Sequence, residues 1–319
     1  MFWKTKKIRA EFDPFTGCLK SLIDKGTGFE AIDSSRMAGL ELEMAQFNTN
    51  SAWNIGNICE KIPVRQMLSR GRYIDSTLRS SLVFEYQVLH SVVRLTISLD
   101  AGASRLKYHF NTIWKEICEP PRAAALSFFL PLNRKPDHYR SDVPAGFVDR
   151  SPLTHDVPAL SYTAAIYGDQ AVSFINDARY GYFCDQDSIT LRLINTARHP
   201  DPLSEVCEQD VCFYLSLEDS NPASLAQTSD LCNHPVNSVS VSRHHGILPI
   251  EGSFLQAQGE GIVYTCLRES REGQLEMRYF NTASTDSIIT VRSELMNVQD
   301  SSGQAKANAI GSVIIPRNK

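Results

Sequence analysis

The stretch that decides the fold class reads VVRLTISLDAGASRLKYHF over residues 92–110. Apolar and polar residues alternate from Val93 to Leu99, with the period of two that is typical of a half-buried β-strand. Turn-forming residues at 100–104 interrupt this alternation, which then resumes from Leu106 to Phe110. The pattern predicts a β-hairpin with one apolar face. The apolar run at 123–132 predicts a further strand, buried on both faces or lying at a sheet seam.

Strand patterns of the same kind recur on both sides of this hairpin, separated by clusters of Gly, Pro, Asp and Asn. One helix is predicted from Pro222 to about Leu231, because Asn221 can cap it and Pro222 suits its first turn. Many short strands with almost no helix predict an all-β antiparallel sandwich or super-sandwich. A seam near residue 100 would divide an amino-terminal β part with a loop-rich segment (1–100) from the main super-sandwich (101–319). The pattern also allows a single continuous domain.

The composition excludes several classes of protein. With 42% hydrophobic and 21% charged residues over 319 positions, the chain resembles a soluble globular protein. A net charge of −4 without a basic cluster argues against a nucleic-acid partner. No apolar window approaches a membrane span, and Met1–Lys7 lacks the apolar stretch of a signal peptide behind it. The eight cysteines are scattered without a C-x-x-C motif, so we expect free thiols in a cytoplasmic protein.

Two groups of residues could contact a ligand. Prolines from Pro131 to Pro158 predict a long irregular loop, and such loops on a rigid β scaffold often carry ligand contacts. Asp149-Arg150 within this loop could hydrogen-bond a sugar hydroxyl or form a surface ion pair. Trp53 and Trp114 could stack on sugar rings or pack in the core.

No catalytic motif stands out. His199-Pro200-Asp201 has the spacing of some zinc ligands but more often forms a solvated turn, so we assign no metal to it. Glycoside hydrolysis needs two placed carboxylates, and the 36 acidic residues offer many pairs with no means of choosing one. The G-x-S-x-G, phosphate-loop and H-E-x-x-H motifs are absent from the sequence.

Several segments together resemble the carboxy-terminal β region of the retaining α-mannosidases of glycoside hydrolase family 38. Residues 12–25 read FDPFTGCLKSLIDK, which is similar to the family's D-x-x-T-G-x-L-x-S-L-x-D-K start. The later matching segments follow in the family's order: Ser104–Glu116, Gly146–Arg150, Asp177–Tyr182, Pro200–Pro202 and Leu267–Asn281. Each match is weak alone, but the order and spacing over nearly the whole chain make the resemblance fairly specific.

The resemblance implies a galactose mutarotase-like super-sandwich that packs against a catalytic barrel and helps to wall its sugar site. In the family, the zinc ligands and the nucleophilic aspartate belong to that amino-terminal barrel, and this sequence starts after the barrel would end. We therefore expect no catalytic residue, no metal ligand and no cofactor in this chain, which should be inactive alone. The expected partners are the missing barrel and a mannoside or other glycan. Self-association through the surface left uncovered is a further expectation.

The resemblance also selects candidates for the rim of the substrate site. Asp149 and Arg150 lie in the Gly146–Arg150 segment, and Asn195 stands where the family's arginine would align. The run Glu205–Val211 keeps neither the Gly nor the His of the family's D-x-G-x-H element. These departures would alter polar groups that face the sugar.

Two other functions remain open on the sequence alone. A stand-alone carbohydrate-binding module would use exposed aromatic side chains such as Trp53 or Tyr182 as stacking platforms. A sugar epimerase on the same fold would use a histidine and a carboxylate for proton transfer, but the sequence distinguishes none of the eight histidines for that role.

Overall fold

The computed structural model describes residues 1–177 and 179–318, which form twenty-four strands and one α-helix. The strands before the helix are β1 (Phe2–Lys4), β2 (Ile8–Phe12), β3 (Leu19–Asp24), β4 (Gly39–Gln46), β5 (Ile58–Pro63), β6 (Arg72–Asp75), β7 (Arg79–Val88), β8 (Ser91–Asp100), β9 (Arg105–Ile113), β10 (Arg122–Pro131), β11 (His138–Val143), β12 (Gly146–Arg150), β13 (Val157–Pro158), β14 (Tyr162–Tyr167), β15 (Gln170–Asn176), β16 (Gly181–Cys184), β17 (Ser188–Asn195) and β18 (Glu208–Asp219). The remaining elements are α1 (Pro222–Asn233), β19 (Gln256–Gln258), β20 (Ile262–Glu269), β21 (Leu275–Asn281), β22 (Ser287–Arg292), β23 (Ser301–Ala305) and β24 (Ile310–Ile315).

The chain divides into two compact units. The first comprises residues 1–141 and 149–220, and the second comprises the described residues of 142–148 and 221–319. The principal division therefore lies at Ser220 and Asn221. The seam predicted near residue 100 falls in the turn between β8 and β9, inside the first unit.

The predicted hairpin is confirmed as β8 and β9, which pair in an antiparallel register that sets Leu95 opposite Phe110 and Ile97 opposite Tyr108. The hairpin belongs to a nine-stranded sheet of order β12-β11-β14-β15-β18-β9-β8-β7-β6. A six-stranded sheet has the order β13-β16-β17-β10-β4-β5. The apolar run predicted at 123–132 is its strand β10, a central strand with almost no exposed side chain.

An aromatic cluster joins these two sheets in the core. Phe128 of β10 lies with its ring centroid 5.0 Å from those of Tyr108 and Phe213 and 5.9 Å from that of Phe174. The last three side chains project from β9, β18 and β15 of the nine-stranded sheet, and all four are at most 1% exposed. Their edge-to-face and stacked arrangements are the geometries that aromatic quadrupoles favour.

The long irregular loop predicted from the prolines between Pro131 and Pro158 is wrong in its central part. Strands β11 and β12 occupy His138–Arg150, with Pro144 in the connection between them. Pro144 donates no backbone hydrogen bond, but a turn residue needs none, and β12 is the terminal strand of its sheet. The prolines of this segment are therefore accommodated in turns and at sheet edges rather than in one irregular loop.

The second unit has its own sheets and core. Strands β19, β22 and β23 form one three-stranded sheet, and β20, β21 and β24 form another. Ile289, Val291, Val313 and Ile315 are among the side chains buried in this unit. The predicted helix is confirmed as α1, with the Asn221 side chain accepting hydrogen bonds from the backbone N–H groups of Ala223 and Ser224.

The antiparallel sheets and the one short helix confirm the all-β class predicted from the sequence. Among the described residues, no helix is long and apolar enough to cross a membrane.

Replacing Phe128 with alanine should lower the free energy of unfolding by about 3–5 kcal/mol, since it removes the central ring of a cluster that cannot refill the space. Urea unfolding followed by tryptophan fluorescence measures this loss. The matched control is Phe15→Ala, because Phe15 is 81% exposed and its truncation should change stability by less than about 0.5 kcal/mol. Similar losses in both variants would contradict the packing described for the cluster.

Candidate functional site

A cleft of about 690 Å³ lies over the open face of the six-stranded sheet in the first unit. Three segments wall it: the β4–β5 connection, the residues before β13, and the paired strands β16 and β17. Residues lining the cleft include Trp53, Asn54, Lys61, His155, Asp156, Tyr180, Phe183, Arg192 and Asn195. Its volume falls within the range of roughly 300–1,000 Å³ that is usual for small-molecule sites.

The pleat of strand β17 explains which side chains face the cleft. Leu191 and Leu193 point into the core, whereas Arg192 lies on the opposite face. A β-bulge then places one extra residue of β17 opposite the Leu126–Ser127 step of β10. As a result, Leu193 and Ile194 are both buried in the core, and Asn195 returns to the cleft face.

A network of charges forms the floor of the cleft. Arg192 donates a hydrogen bond from Nε to Asp156 Oδ1 at 2.7 Å and from Nη1 to Ser127 Oγ at 3.0 Å. The same Nη1 also donates to Oε2 of Glu43, whose side chain is fully buried. Lys61 Nζ lies 3.4 Å from Glu43 Oε1 and 5.7 Å from the centroid of the Phe183 ring. Every charge in this network therefore has an opposite charge beside it.

Glu41 extends the network along β4. Its Oε2 lies 3.6 Å from Lys61 Nζ and makes no hydrogen bond within the described residues. Burial raises the pKa of the Glu41 carboxyl above its ordinary value of 4.5, and the neighbouring Glu43 adds to this rise while Lys61 opposes it. The protonated form is thus favoured more strongly in the folded protein than in the unfolded chain.

Hydrogen bonds hold the loop that carries Trp53 against β17. Asn195 donates from Nδ2 to the Ser51 carbonyl at 3.0 Å, and Ser51 Oγ accepts from the backbone N–H of Arg198 at 2.9 Å. Gly56 lets the loop pass close to β4, because a Cβ atom there would lie 1.8 Å from the Gln46 carbonyl oxygen. The Trp53 side chain is presented at the cleft with 71% of its surface exposed.

The structure separates the three predicted rim residues. Asn195 lies in the cleft. Asp149 and Arg150 lie on β12, and neither is among the described residues that line the cleft. Asp149 instead accepts two hydrogen bonds from Arg140, at 2.7 and 2.8 Å. The ion-pair alternative considered for Asp149 is therefore present, with Arg140 rather than Arg150 as the partner.

The aromatic residues predicted to stack on sugar rings also lie in different environments. Trp53 is exposed at the cleft, whereas Trp114 is fully buried and donates from Nε1 to Thr196 Oγ1 at 3.0 Å. The proposal of Tyr182 as an exposed platform is wrong, since alternation along β16 turns its ring into the core. Tyr180, two residues earlier and just before the strand, is 55% exposed and lines the cleft. Ala178 of the same motif lies outside the described residues.

The charged floor was missed at the sequence level. Glu41 and Glu43 alternate with Leu40 and Leu42, and Arg192 is the charged residue of a strand whose other side chains are apolar or neutral. Charges at these positions were a usable signal, because a charge on a buried strand is rare without a partner. Their partners could not be read from spacing, since residues 43 and 192 meet only through the sheet.

No metal centre is present among the ligand-type residues that the structure describes. No group of three or more His, Cys, Asp or Glu side chains in 1–177 and 179–318 lies close enough to hold a metal ion.

Comparison with known families gives one match. The family model described as glycosyl hydrolases family 38 C-terminal domain matches residues 3–203, which is more than half of the chain. No curated protein matches the sequence.

Solved structures from Enterococcus faecalis share the fold. An α-mannosidase from Enterococcus faecalis V583 aligns with a TM-score of 0.78 and 12% identity, over 98% of this chain and 42% of that chain. A glycosyl hydrolase family 38 protein from Enterococcus faecalis gives a TM-score of 0.79 and 12% identity, over 98% of this chain and 43% of that chain. A galactose mutarotase-like protein from Lactobacillus casei gives a TM-score of 0.43 and 12% identity, over 68% and 99%. The chain spans less than half the length of the two Enterococcus faecalis proteins.

Replacing Arg192 with methionine should destabilise the protein by about 3–5 kcal/mol, because it removes the cation bonded to the buried Glu43 carboxylate and leaves only Lys61 and the Ser127 hydroxyl among its described partners. The double variant Arg192→Met/Glu43→Leu removes both partners and should recover part of that loss. Urea unfolding of the two single variants and the double variant forms a double-mutant cycle that measures the coupling energy. Additive losses would show that the two residues do not interact as described.

The raised pKa of Glu41 predicts a pH dependence of stability. Below pH 4.5 the carboxyl is protonated in both states, whereas at higher pH the unfolded chain loses its proton first. Stability should therefore fall as the pH rises from 4.5 through the raised pKa of the folded state. Glu41→Gln cannot titrate, so the free energy of unfolding of this variant minus that of the unsubstituted protein should increase over the same interval. Glu272→Gln, at an exposed position, is the control for loss of a surface carboxylate. If the difference in free energy of unfolding between Glu41→Gln and the unsubstituted protein does not change with pH, the prediction is refuted.

Proposed function

Because the chain belongs to the family of glycosyl hydrolases family 38 C-terminal domains, we propose that it is the non-catalytic β portion of an α-mannosidase-like glycosidase. In this role it packs on a catalytic barrel and lines the sugar site with the cleft described above. The family resemblance found in the sequence motifs is confirmed by the match over residues 3–203. One observation carries the proposal: nearly the whole chain superposes on less than half of an α-mannosidase.

The chemistry of the cleft supports a sugar as its ligand. Trp53 and Tyr180 offer exposed aromatic faces, on which the apolar C–H face of a pyranose ring can pack. Asn195 keeps its Oδ1 available as an acceptor while Nδ2 is held by Ser51, and His155 adds a ring nitrogen at the rim. Directional polar groups beside an aromatic surface are what a ligand rich in hydroxyl groups requires.

An exposed apolar sheet edge supports packing on another protein surface. Strand β6 is the last strand of the nine-stranded sheet, and its Tyr73 and Ile74 are 52% and 55% exposed. Leu78, in the turn that follows, is 74% exposed. Unpaired strand edges with apolar side chains invite association with a further chain or domain. We include self-association of the isolated chain in the proposal, for which light scattering over a range of concentrations is the measurement.

A stand-alone carbohydrate-binding module is the second candidate, and the exposure of Trp53 favours it. The two functions differ in what they need from a barrel. A module binds sugar with useful affinity by itself, whereas an accessory wall supplies only part of the contacts and binds weakly until the barrel completes the site.

Replacing Trp53 with alanine should abolish saturation-transfer NMR signals from methyl α-D-mannopyranoside or weaken binding at least tenfold, a loss of about 1.4 kcal/mol. The control is Phe15→Ala, which removes an exposed aromatic ring away from the cleft and should leave the signals unchanged. The same purified chain, with added zinc, should not hydrolyse an aryl α-mannoside. Turnover that disappears in Trp53→Ala would overturn the non-catalytic role, and sugar binding unaffected by Trp53→Ala would overturn the assignment of the cleft.

A further inference from the structure

A second compartment of about 520 Å³ adjoins the cleft within the first unit. The two compartments share five lining residues: Ala52, Tyr180, Gly181, Arg192 and Asn195. The compartments are therefore neighbours along these shared residues. Each compartment alone has the volume of a typical small-molecule site, which is roughly 300–1,000 Å³.

We propose that the two compartments together bind a neutral oligosaccharide, with one hexose unit in each. This inference rests on the proposed function and extends it from a single sugar to a ligand of at least two linked sugars. The aromatic side chains are distributed accordingly. Trp53 lines only the first compartment, and Tyr180 lies at the junction, where it can contact both rings.

The second compartment contains a hydrogen-bond acceptor for a sugar hydroxyl group, the carboxylate of Glu205. Glu205 accepts hydrogen bonds at Oε2 from Ser204 Oγ at 2.5 Å and from the Ala197 backbone N–H at 3.3 Å. Its other oxygen, Oε1, accepts no hydrogen bond from the described residues. A half-buried carboxylate with one oxygen already oriented and the other open is suited to accept from a sugar hydroxyl, and a charged acceptor makes that bond stronger.

The balance of charge in the two compartments favours a neutral ligand. Arg192 is paired with Glu43 and Asp156, and Lys61 lies beside Glu43. In the second compartment Arg179 donates from Nη2 to Gln209 Oε1 at 2.7 Å. The charges of Asp177 and Glu205 also act on the Arg179 guanidinium. An anionic ligand would meet carboxylates beside each of these cations, whereas a polyhydroxyl ligand can use donors and acceptors alike.

The test is an isothermal titration of the purified chain with methyl α-D-mannopyranoside and with an α-linked mannobiose. Ser204 is exposed and lines only the second compartment, so Ser204→Trp should fill that space without disturbing the core. The matched control is Ser69→Trp, which makes the same change at an exposed position outside both compartments. The disaccharide should bind about tenfold more tightly than the monosaccharide. Ser204→Trp should remove this advantage and keep the monosaccharide affinity, and Ser69→Trp should keep both.

The contrary outcomes are distinguishable. Equal affinities for the two sugars in the unsubstituted chain would refute the second compartment while leaving the proposed sugar site intact. An advantage that persists in Ser204→Trp would place the second sugar elsewhere and also overturn the inference. Absence of binding by either sugar would also overturn the inference, whereas the non-catalytic role beside a barrel is tested separately by the hydrolysis assay. Thermal melting of each variant confirms that it is folded.

Discussion

The buried contact between Arg192 and Glu43 is the constraint on which the open face of the six-stranded sheet depends. The two residues lie on β17 and β4, with Ser127 of β10 between them, so the contact ties three neighbouring strands together. Lys61 lies beside Glu43 and Asp156 pairs with Arg192, from opposite walls of the cleft. Buried ion pairs are stable only when every partner is present. The floor, the walls and the shape of the cleft are therefore determined together.

The fold class could be predicted from the sequence because its signals are local. Alternation from Val93 to Leu99 and from Leu106 to Phe110 produced β8 and β9 in the expected hairpin. The Asn221-Pro222 pair marked the start of α1, since capping and a fixed backbone angle act within one turn. The prolines between 131 and 158 were ambiguous for a physical reason: proline excludes a central strand but allows turns and edge strands, and the chain uses both.

The site could not be assembled in this way, because its parts meet only through strand pairing. Asn195 was selected from the family resemblance and lies in the cleft, but Asp149 and Arg150, chosen as a charged pair in the proline-rich segment and supported by the same resemblance, lie on β12. Arg192 and Asp156 could have been noticed in the sequence, because Arg192 lies within a largely apolar strand and Asp156 directly precedes β13. Pairing them with Glu43 and Lys61 required the order of the strands in the sheet, which no local pattern specifies.

The bulge in β17 has a consequence for how this region can change in length. Before the bulge, even-numbered position 192 faces the cleft, and after it odd-numbered position 195 does so. Loss of either Leu193 or Ile194 would remove the bulge, restore simple alternation and leave the amide of Asn195 on the cleft face. The Trp53 loop would then keep the anchor that this amide provides at Ser51. Homologous chains that bind in the same way should therefore tolerate the loss of one residue at this step, because the bulge already accommodates an extra one.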